Sequence, residues 1–181
     1  ASLSALEWGK ITARLSAHAS SEPGRDLCAA LAPGTDLDAI RASLEENRDG
    51  RRMLLQDGAL PLDEVKEIRE EVGKASKGAS LSPTDLLRIG KTARAGERIR
   101  RFFEDRRGRY PRLAHHANGI PPLRDLAEAV EQAIDGAGNV LDRASDTLGP
   151  LRRQLLKMRS RLQETADGIL SSPRYARHVQ E

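Results

Sequence analysis

The stretch SDTLGPLRRQLLKMRSRLQETADGILSS, residues 145–172, decides the architecture. Within it Leu148, Leu151, Leu155, Met158, Leu162 and Ile169 recur at steps of three and four, and Thr165 fills the one gap. A period near 3.5 keeps one narrow apolar seam along a long helix, the pattern of a coiled-coil-like arm. A helix over 147–170 would run about 36 Å at 1.5 Å per residue. Pro150 is tolerated only near the start of such a helix, which places the cap within 145–147. Between the seam positions lie Arg152, Arg153, Lys157, Arg159 and Arg161, with no acid until Glu164. One face therefore wants a partner helix, while the others carry positive charge.

Upstream, the chain reads as shorter helices that form a base for this arm. Trp8, Ile11 and Leu15 share a face of a first helix reaching His18, with Ser4 and Glu7 at capping-box spacing and Leu3 with Trp8 as a hydrophobic staple. Ser21 caps a second helix, stopped by Pro33-Gly34. Thr35 with Asp38 opens a third, on which Leu37, Ile40, Leu44 and Leu54 recur, and Asp57-Gly58 ends it. Residues 59–62 read as extended. Asp63 is expected to cap a fourth helix with Val65, Ile68, Val72 and Ala75 as its buried stripe and Gly78 as a left-handed terminator. Ser82-Pro83 restarts a fifth that continues past Ile99 and Phe103 to about Arg106. Gly90 and Gly96 weaken it by about 1 kcal/mol each relative to alanine but permit close helix approach. The stretch 108–122, with two glycines and three prolines, reads as a mobile loop. Leu123, Leu126, Val130 and Ile134 define a sixth helix, closed by a turn at 136–139. Val140-Leu141-Asp142 reads as a short extended lead-in, and residues 174–181 form at most another turn. The fold class is thus all-α: a helical bundle core over 1–142 with a protruding lever helix over 143–181.

Composition agrees. In 181 residues, apolar side chains make up 38% and aromatics only 3%. A core of Leu, Ile, Val and Ala suits helix-on-helix packing better than a sheet, which favours β-branched and aromatic residues. The net charge of +3 is unevenly spread. Residues 36–71 hold eleven acids against six bases, and residues 88–112 ten bases against three acids. Such segregation permits an anionic partner without requiring one. Cys28 is the single cysteine, so no internal disulfide can form and a cytosolic (cytoplasmic) location is favoured. No run reaches the length of a membrane span, and no N-terminal signal region is visible.

Catalytic motifs do not emerge. Gly90-Lys91-Thr92 suggests a phosphate loop, but Asp85 stands where that motif needs its first glycine, and the tripeptide lies inside a helix. Gly136-Ala137-Gly138 lacks the third glycine of a dinucleotide fingerprint. His18, His115, His116 and His178 stand at no metal-ligand spacing, so no metal site is expected. Glu45-Glu46 and Glu70-Glu71 read as solvated helix faces. What remains is basic. Arg98, Arg100, Arg101, Arg106, Arg107, Arg109 and Arg112 surround Phe102, Phe103 and Tyr110. Guanidinium groups can bridge phosphates, and an exposed ring could stack on a base. The cluster at 100–109 and the arm residues from Arg152 to Arg161 are the two candidate nucleic-acid contacts, with solvated basic faces as the alternative for both.

Gly138-Asn139-Val140-Leu141-Asp142-Arg143-Ala144-Ser145, followed by Leu148 and the long basic helix to Ile169-Leu170-Ser171-Ser172, resembles the core of the type II branch of the bacterial MutS family. Leu6-Glu7-Trp8 with Ile11 and Leu15, Gly24-Arg25, Leu31-Ala32-Pro33, and Leu81-Ser82-Pro83 with Leu86-Leu87 resemble the same branch, in family order along nearly the whole chain. The resemblance implies homodimers with a helical core, lever helices, a clamp at the lever tips and a phosphate-loop ATPase using ATP and Mg, often with a C-terminal nuclease domain. It further implies association with branched or mismatched DNA, suppression of recombination, and in some bacteria a role at collided ribosomes and their RNA. This chain departs from the family pattern by lacking the ATPase and nuclease motifs. It is therefore expected to be a non-catalytic fragment with no cofactor of its own. The competing reading is a protein-interaction module in which the Leu148 to Ile169 seam docks another helix without touching nucleic acid. In either case an uncovered seam is expected to drive self-association.

Overall fold

The structure, a computed structural model, describes residues 6–171. The proposed roles of Leu3 and Ser4, together with His178 and the terminal turn, lie outside the described residues. The fold is all-α, with eight α-helices among the described residues and a single isolated antiparallel bridge between Ile134 and Val140. The chain divides into two compact units, residues 1–131 and 132–181. The division falls inside a helix.

In the first unit, α1 (Trp8–His18) and α2 (Glu22–Ala29) form a hairpin. The Trp8 indole donates to the Leu31 carbonyl at 3.0 Å, and the Ser16 hydroxyl to that of Arg25 at 3.0 Å. Ser21 caps α2 by accepting from the Gly24 amide. Glu7 sits before α1 in the left-handed region (φ 51°), its carboxylate on Lys10. Ile11 and Leu15 face solvent, and Thr12 is the buried residue of α1.

The first unit continues through α3 (Leu37–Gln56), a 3-10 turn at Leu62–Glu64, α4 (Arg69–Ser76), α5 (Pro83–Glu104), α6 (Pro111–Asn118) and α7 (Arg124–Ala133), which crosses the division. The expected restart at Ser82-Pro83 is a full capping box. Ser82 Oγ accepts from the Asp85 amide while the Asp85 carboxylate accepts from that of Ser82. The core gathers Met53 of α3, Ile99 and Phe103 of α5, and Tyr110, Ala114 and Ala117 around α6. Phe103 meets Phe102 and Tyr110 edge-on, with centroids 5.1 and 6.5 Å apart. Burying these aliphatic and aromatic faces supplies the main driving force, at about 25 cal/mol per Å² of apolar surface.

Five expectations require correction. The expected mobile loop over 108–122 contains α6. Pro111 occupies its first turn, where a missing amide costs nothing, and Ala114 and Ala117 are buried against the core. The fourth helix does not begin at Asp63. Residues 65–68 stay irregular because their backbone finds partners elsewhere: the Lys66 amide donates to Thr92 Oγ1 at 3.1 Å and the Glu67 amide to Glu22 Oε2 at 2.9 Å. In α4 the stripe is displaced too, with Val72 exposed and Glu71 buried beside Arg88. In α3 the apolar positions Leu37, Ile40, Leu44 and Leu54 lie in solvent. That helix instead turns Glu45, Asp49, Met53 and the following Asp57 toward α6, where arginine and tyrosine donors need acceptors. In α7, Ala127 and Val130 are buried, whereas Leu126 is exposed.

The second unit holds the Ile134–Val140 bridge, a turn in which Asp135 accepts from the amides of Ala137 and Asn139 (both 2.9 Å), a 3-10 turn at Asp142–Ala144, and α8 (Leu148–Ser171). Pro150 occupies the third position of α8, and the Leu151 amide returns to the Thr147 carbonyl at 3.0 Å.

Candidate nucleic-acid interface and helix seam

The basic cluster in the last turns of α5 and the segment after it is largely consumed by the protein itself. Arg100 reaches Glu97 at 3.1 Å and Glu104 at 2.7 Å, and Arg101 reaches Glu97 at 3.1 Å. Arg106 and Arg109 converge on Asp57 at 3.3 and 3.2 Å, and the Arg106 guanidinium also lies 4.3 Å from the Phe102 ring centroid. Arg98 pairs with Glu64, and Arg112 with Glu45 at 2.5 Å. Among the described residues, Arg107 is the member without an acidic partner. Tyr110 and Phe103 are buried, and Arg106 covers Phe102, so the rings are engaged in the core.

These pairs explain the segregated charge. The acidic stretch 36–71 supplies Glu45, Asp57 and Glu64; the basic stretch 88–112 supplies Arg98, Arg106, Arg109 and Arg112, each set meeting the other across the first unit. His116 of α6 adds a contact to Glu46 at 3.0 Å. At the centre, the Tyr110 hydroxyl donates to Asp57. That hydrogen bond, with the two guanidinium groups, holds the Asp57 carboxyl below the usual aspartate range, while burial foremost pushes the Tyr110 phenol up. Glu131 is likewise lowered by a two-pronged bond from Arg94, at 2.9 and 2.5 Å.

The remaining sequence candidates are occupied by packing. Gly90 lies against Val130, and Thr92 Oγ1 accepts from the Lys66 amide, so the Gly90-Lys91-Thr92 tripeptide is a helix contact. Among the described residues no three His, Cys, Asp or Glu side chains come together as a metal-ligand set. No helix among them is long and apolar enough to cross a membrane. An apolar cavity of about 760 Å³ in the first unit is lined by Met53, Ile99, Phe103 and Ile120, with His18 and Cys28 also on its wall.

The arm differs. α8 runs unbroken for 24 residues, about 36 Å. Leu148 is half-buried, and Leu151, Leu155, Met158, Leu162 and Ile169 are exposed. The Thr165 hydroxyl donates back to the Arg161 carbonyl at 2.7 Å, which satisfies the polar member of the seam without a partner helix. Of the basic residues, Arg152 pairs with Asp142 at 2.5 Å. Among the described residues, Arg153, Lys157, Arg159 and Arg161 have no acidic partner. Arg153, Lys157 and Arg161 stand four residues apart, so they form one row spaced by about 6 Å that runs obliquely to the seam, Arg161 lying at its edge beside Met158, Leu162 and Thr165. One basic group gave no signal in the sequence. Arg48, Arg51 and Arg52 on α3 are exposed and without acidic partners among the described residues, a surplus hidden by the net negative charge of their segment.

No family model matches the chain. Curated relatives do. It is 35% identical over 179 residues to Endonuclease MutS2 of Pelotomaculum thermopropionicum, covering 99% of this chain and 23% of that protein. It is 37% identical over 171 residues to Endonuclease MutS2 of Geobacillus thermodenitrificans, with 93% and 22% covered. For Endonuclease MutS2 of Halalkalibacterium halodurans the identity is 31% over 183 residues, with 99% and 23% covered. The chain thus spans less than a quarter of the length of the curated relatives it matches. With identity sustained over nearly all of its residues and an all-helical fold, the chain belongs to the type II branch of the MutS family, as a region of it.

Proposed function

We propose that this region is the non-catalytic core and outgoing lever of a MutS type II protein, and that α8 carries nucleic-acid contacts and mechanical signal together. In this reading the whole protein is a homodimer that binds branched or mismatched DNA, couples binding to turnover of ATP with Mg, restrains recombination, and cuts through a nuclease domain. The relatives' printed name, an endonuclease, supports that setting. Ribosomal RNA is a second polyanion the same row could meet. The observation that carries the reading is the row of Arg153, Lys157 and Arg161 on α8, which retains its charge while the arginines around α6 are spent on Asp57, Glu45 and Glu64.

The test is a salt titration of branched DNA binding by fluorescence anisotropy. Counterion release makes log affinity fall linearly with log salt, by about 0.9 per phosphate neutralised on duplex DNA. The triple change Arg153→Gln, Lys157→Gln, Arg161→Gln is expected to weaken binding and flatten the slope by about that amount for each phosphate no longer neutralised. An unchanged slope would exclude the row. The exposed seam favours a second reading, in which α8 docks a helix only; binding would then resist added salt and fail with Leu155→Asp.

A further inference from the structure

The outer face of α3 has a register of its own. Leu37, Arg41, Leu44, Arg48, Arg51 and Leu55 follow one another at steps of four, three, four, three and four. That 3.5-residue spacing keeps all six on one stripe, the geometry of a helix that receives another helix along its length. All six are exposed, Leu44 at 62% and Leu55 at 83%. The adjoining side of the same helix faces α6 through Glu45, Asp49 and Met53, of which Asp49 and Met53 are buried. The stripe therefore owes nothing to the packing of the first unit.

Charge selects the partner. Arg48 and Arg51 have no acidic partner among the described residues, and Arg41 has only the exposed Asp38 at 3.7 Å. In the same unit Arg94 pairs with Glu131, Arg112 with Glu45 and Arg124 with Glu128, while Arg107, like the stripe arginines, is exposed with no acidic partner among the described residues. Two guanidinium groups left bare in mid-stripe call for carboxylates brought from outside. The leucines exclude a purely electrostatic ligand. A phosphate backbone would neutralise the arginines but leave Leu37, Leu44 and Leu55 in water, whereas an acidic amphipathic helix meets both sets at the same spacing. We infer that the outer face of α3 is a docking site for an acidic amphipathic helix of a partner protein. It lies on a different helix from the α8 row, so this inference does not depend on nucleic-acid binding by the arm.

The experiment selects, on the full 181-residue chain, from a displayed library of helices as long as α3 with facing positions varied among Leu, Glu, Lys and Ala. The winning peptide is then titrated by anisotropy. The expected winners carry Leu and Glu at three-and-four spacing. Their affinity is expected to fall about tenfold or more in Arg48→Glu/Arg51→Glu and in Leu44→Asp/Leu55→Asp, and to weaken with salt. Circular dichroism verifies that these surface variants keep their helicity. Winners without acids, no winners, or equal binding to wild type and both variants would overturn the inference. So would duplex DNA that displaces the winning peptide, which would assign the face to phosphate. A concentration-dependent dimer in light scattering that Arg48→Glu/Arg51→Glu abolishes would assign it to a second copy, and would overturn it equally.

Discussion

Gly90 of α5 lies directly against Val130 of α7: a Cβ built on Gly90 would stand 2.7 Å from Val130 Cγ1 and 3.0 Å from its Cβ. Glycine here is a packing requirement, since no real Cβ tolerates such an approach. Two terms compete in Gly90→Ala. Helix propensity gains about 1 kcal/mol, while overpacking costs about 1–3 kcal/mol. The second is expected to win, lowering stability in urea denaturation. Gly50→Ala, in the interior of α3 with nothing within 4 Å of the added carbon, feels only the first term and should be stabilising. Adding Val130→Ala to Gly90→Ala should recover part of the loss through a favourable coupling in the double-mutant cycle.

The Asp57–Tyr110 bond predicts a pH dependence with a definite sign. Asp57 titrates below its ordinary value in the folded chain, so between the two values the unfolded chain binds more protons. Its contribution is complete above about pH 3.9 and is lost as pH falls through the lowered folded value. Tyr110 is shifted upward, so its contribution holds below about pH 10 and is lost as pH rises through the raised folded value. Asp57→Asn should lower stability at neutral pH and flatten the acid limb of the stability profile, leaving the alkaline limb. Tyr110→Phe should flatten the alkaline limb. An acid limb in Asp57→Asn as steep as in wild type would remove Asp57 from this role.

The arm was legible because a long one-sided pattern, Leu148 to Ile169, needs no tertiary partner to define it. Residues 110–117 were not. Tyr110, Ala114 and Ala117 already stand at helical spacing, but alanine and tyrosine are ambiguous between core and surface, and Pro111 reads equally well as a breaker or as a helix's first turn. Val65 and Ile68 carried a helical pattern that Thr92 Oγ1 and Glu22 Oε2 override by capturing the intervening amides. The charge pattern misled in a similar way. Its acids and bases were visible in the chain, but that Asp57 belongs to Arg106 and Arg109 emerges only when α3 and α6 pack together, and only then do the unspent arginines of α3 and α8 stand out.

Neutralising the two basic groups should therefore have opposite consequences. Arg106→Gln with Arg109→Gln removes both cations from Asp57, so thermal stability should fall. Arg153→Gln with Lys157→Gln changes exposed, unpaired side chains and should shift stability by no more than about 0.5 kcal/mol. Any loss of DNA affinity in the first pair should track its unfolded fraction, while a loss in the second should occur in fully folded protein. Melting curves and anisotropy on the same samples separate the two.

The proposed lever must also be stiff, and Met158, midway along α8, tests this without altering its charge. Met158→Ala removes the seam side chain but keeps the best helix former. Met158→Gly removes the same side chain and adds about 1 kcal/mol of helix penalty at the centre of the rod. The difference between the two variants isolates backbone stiffness from the seam's side-chain packing. In a full-length MutS type II protein, the lever proposed above predicts that Met158→Ala retains the coupling of ATP turnover to DNA retention and that Met158→Gly loses it while each activity measured alone persists. Loss of coupling in both variants would assign the effect to the seam side chain they both lack, and retention in both would overturn the rod, because helix rigidity is the one property on which they differ.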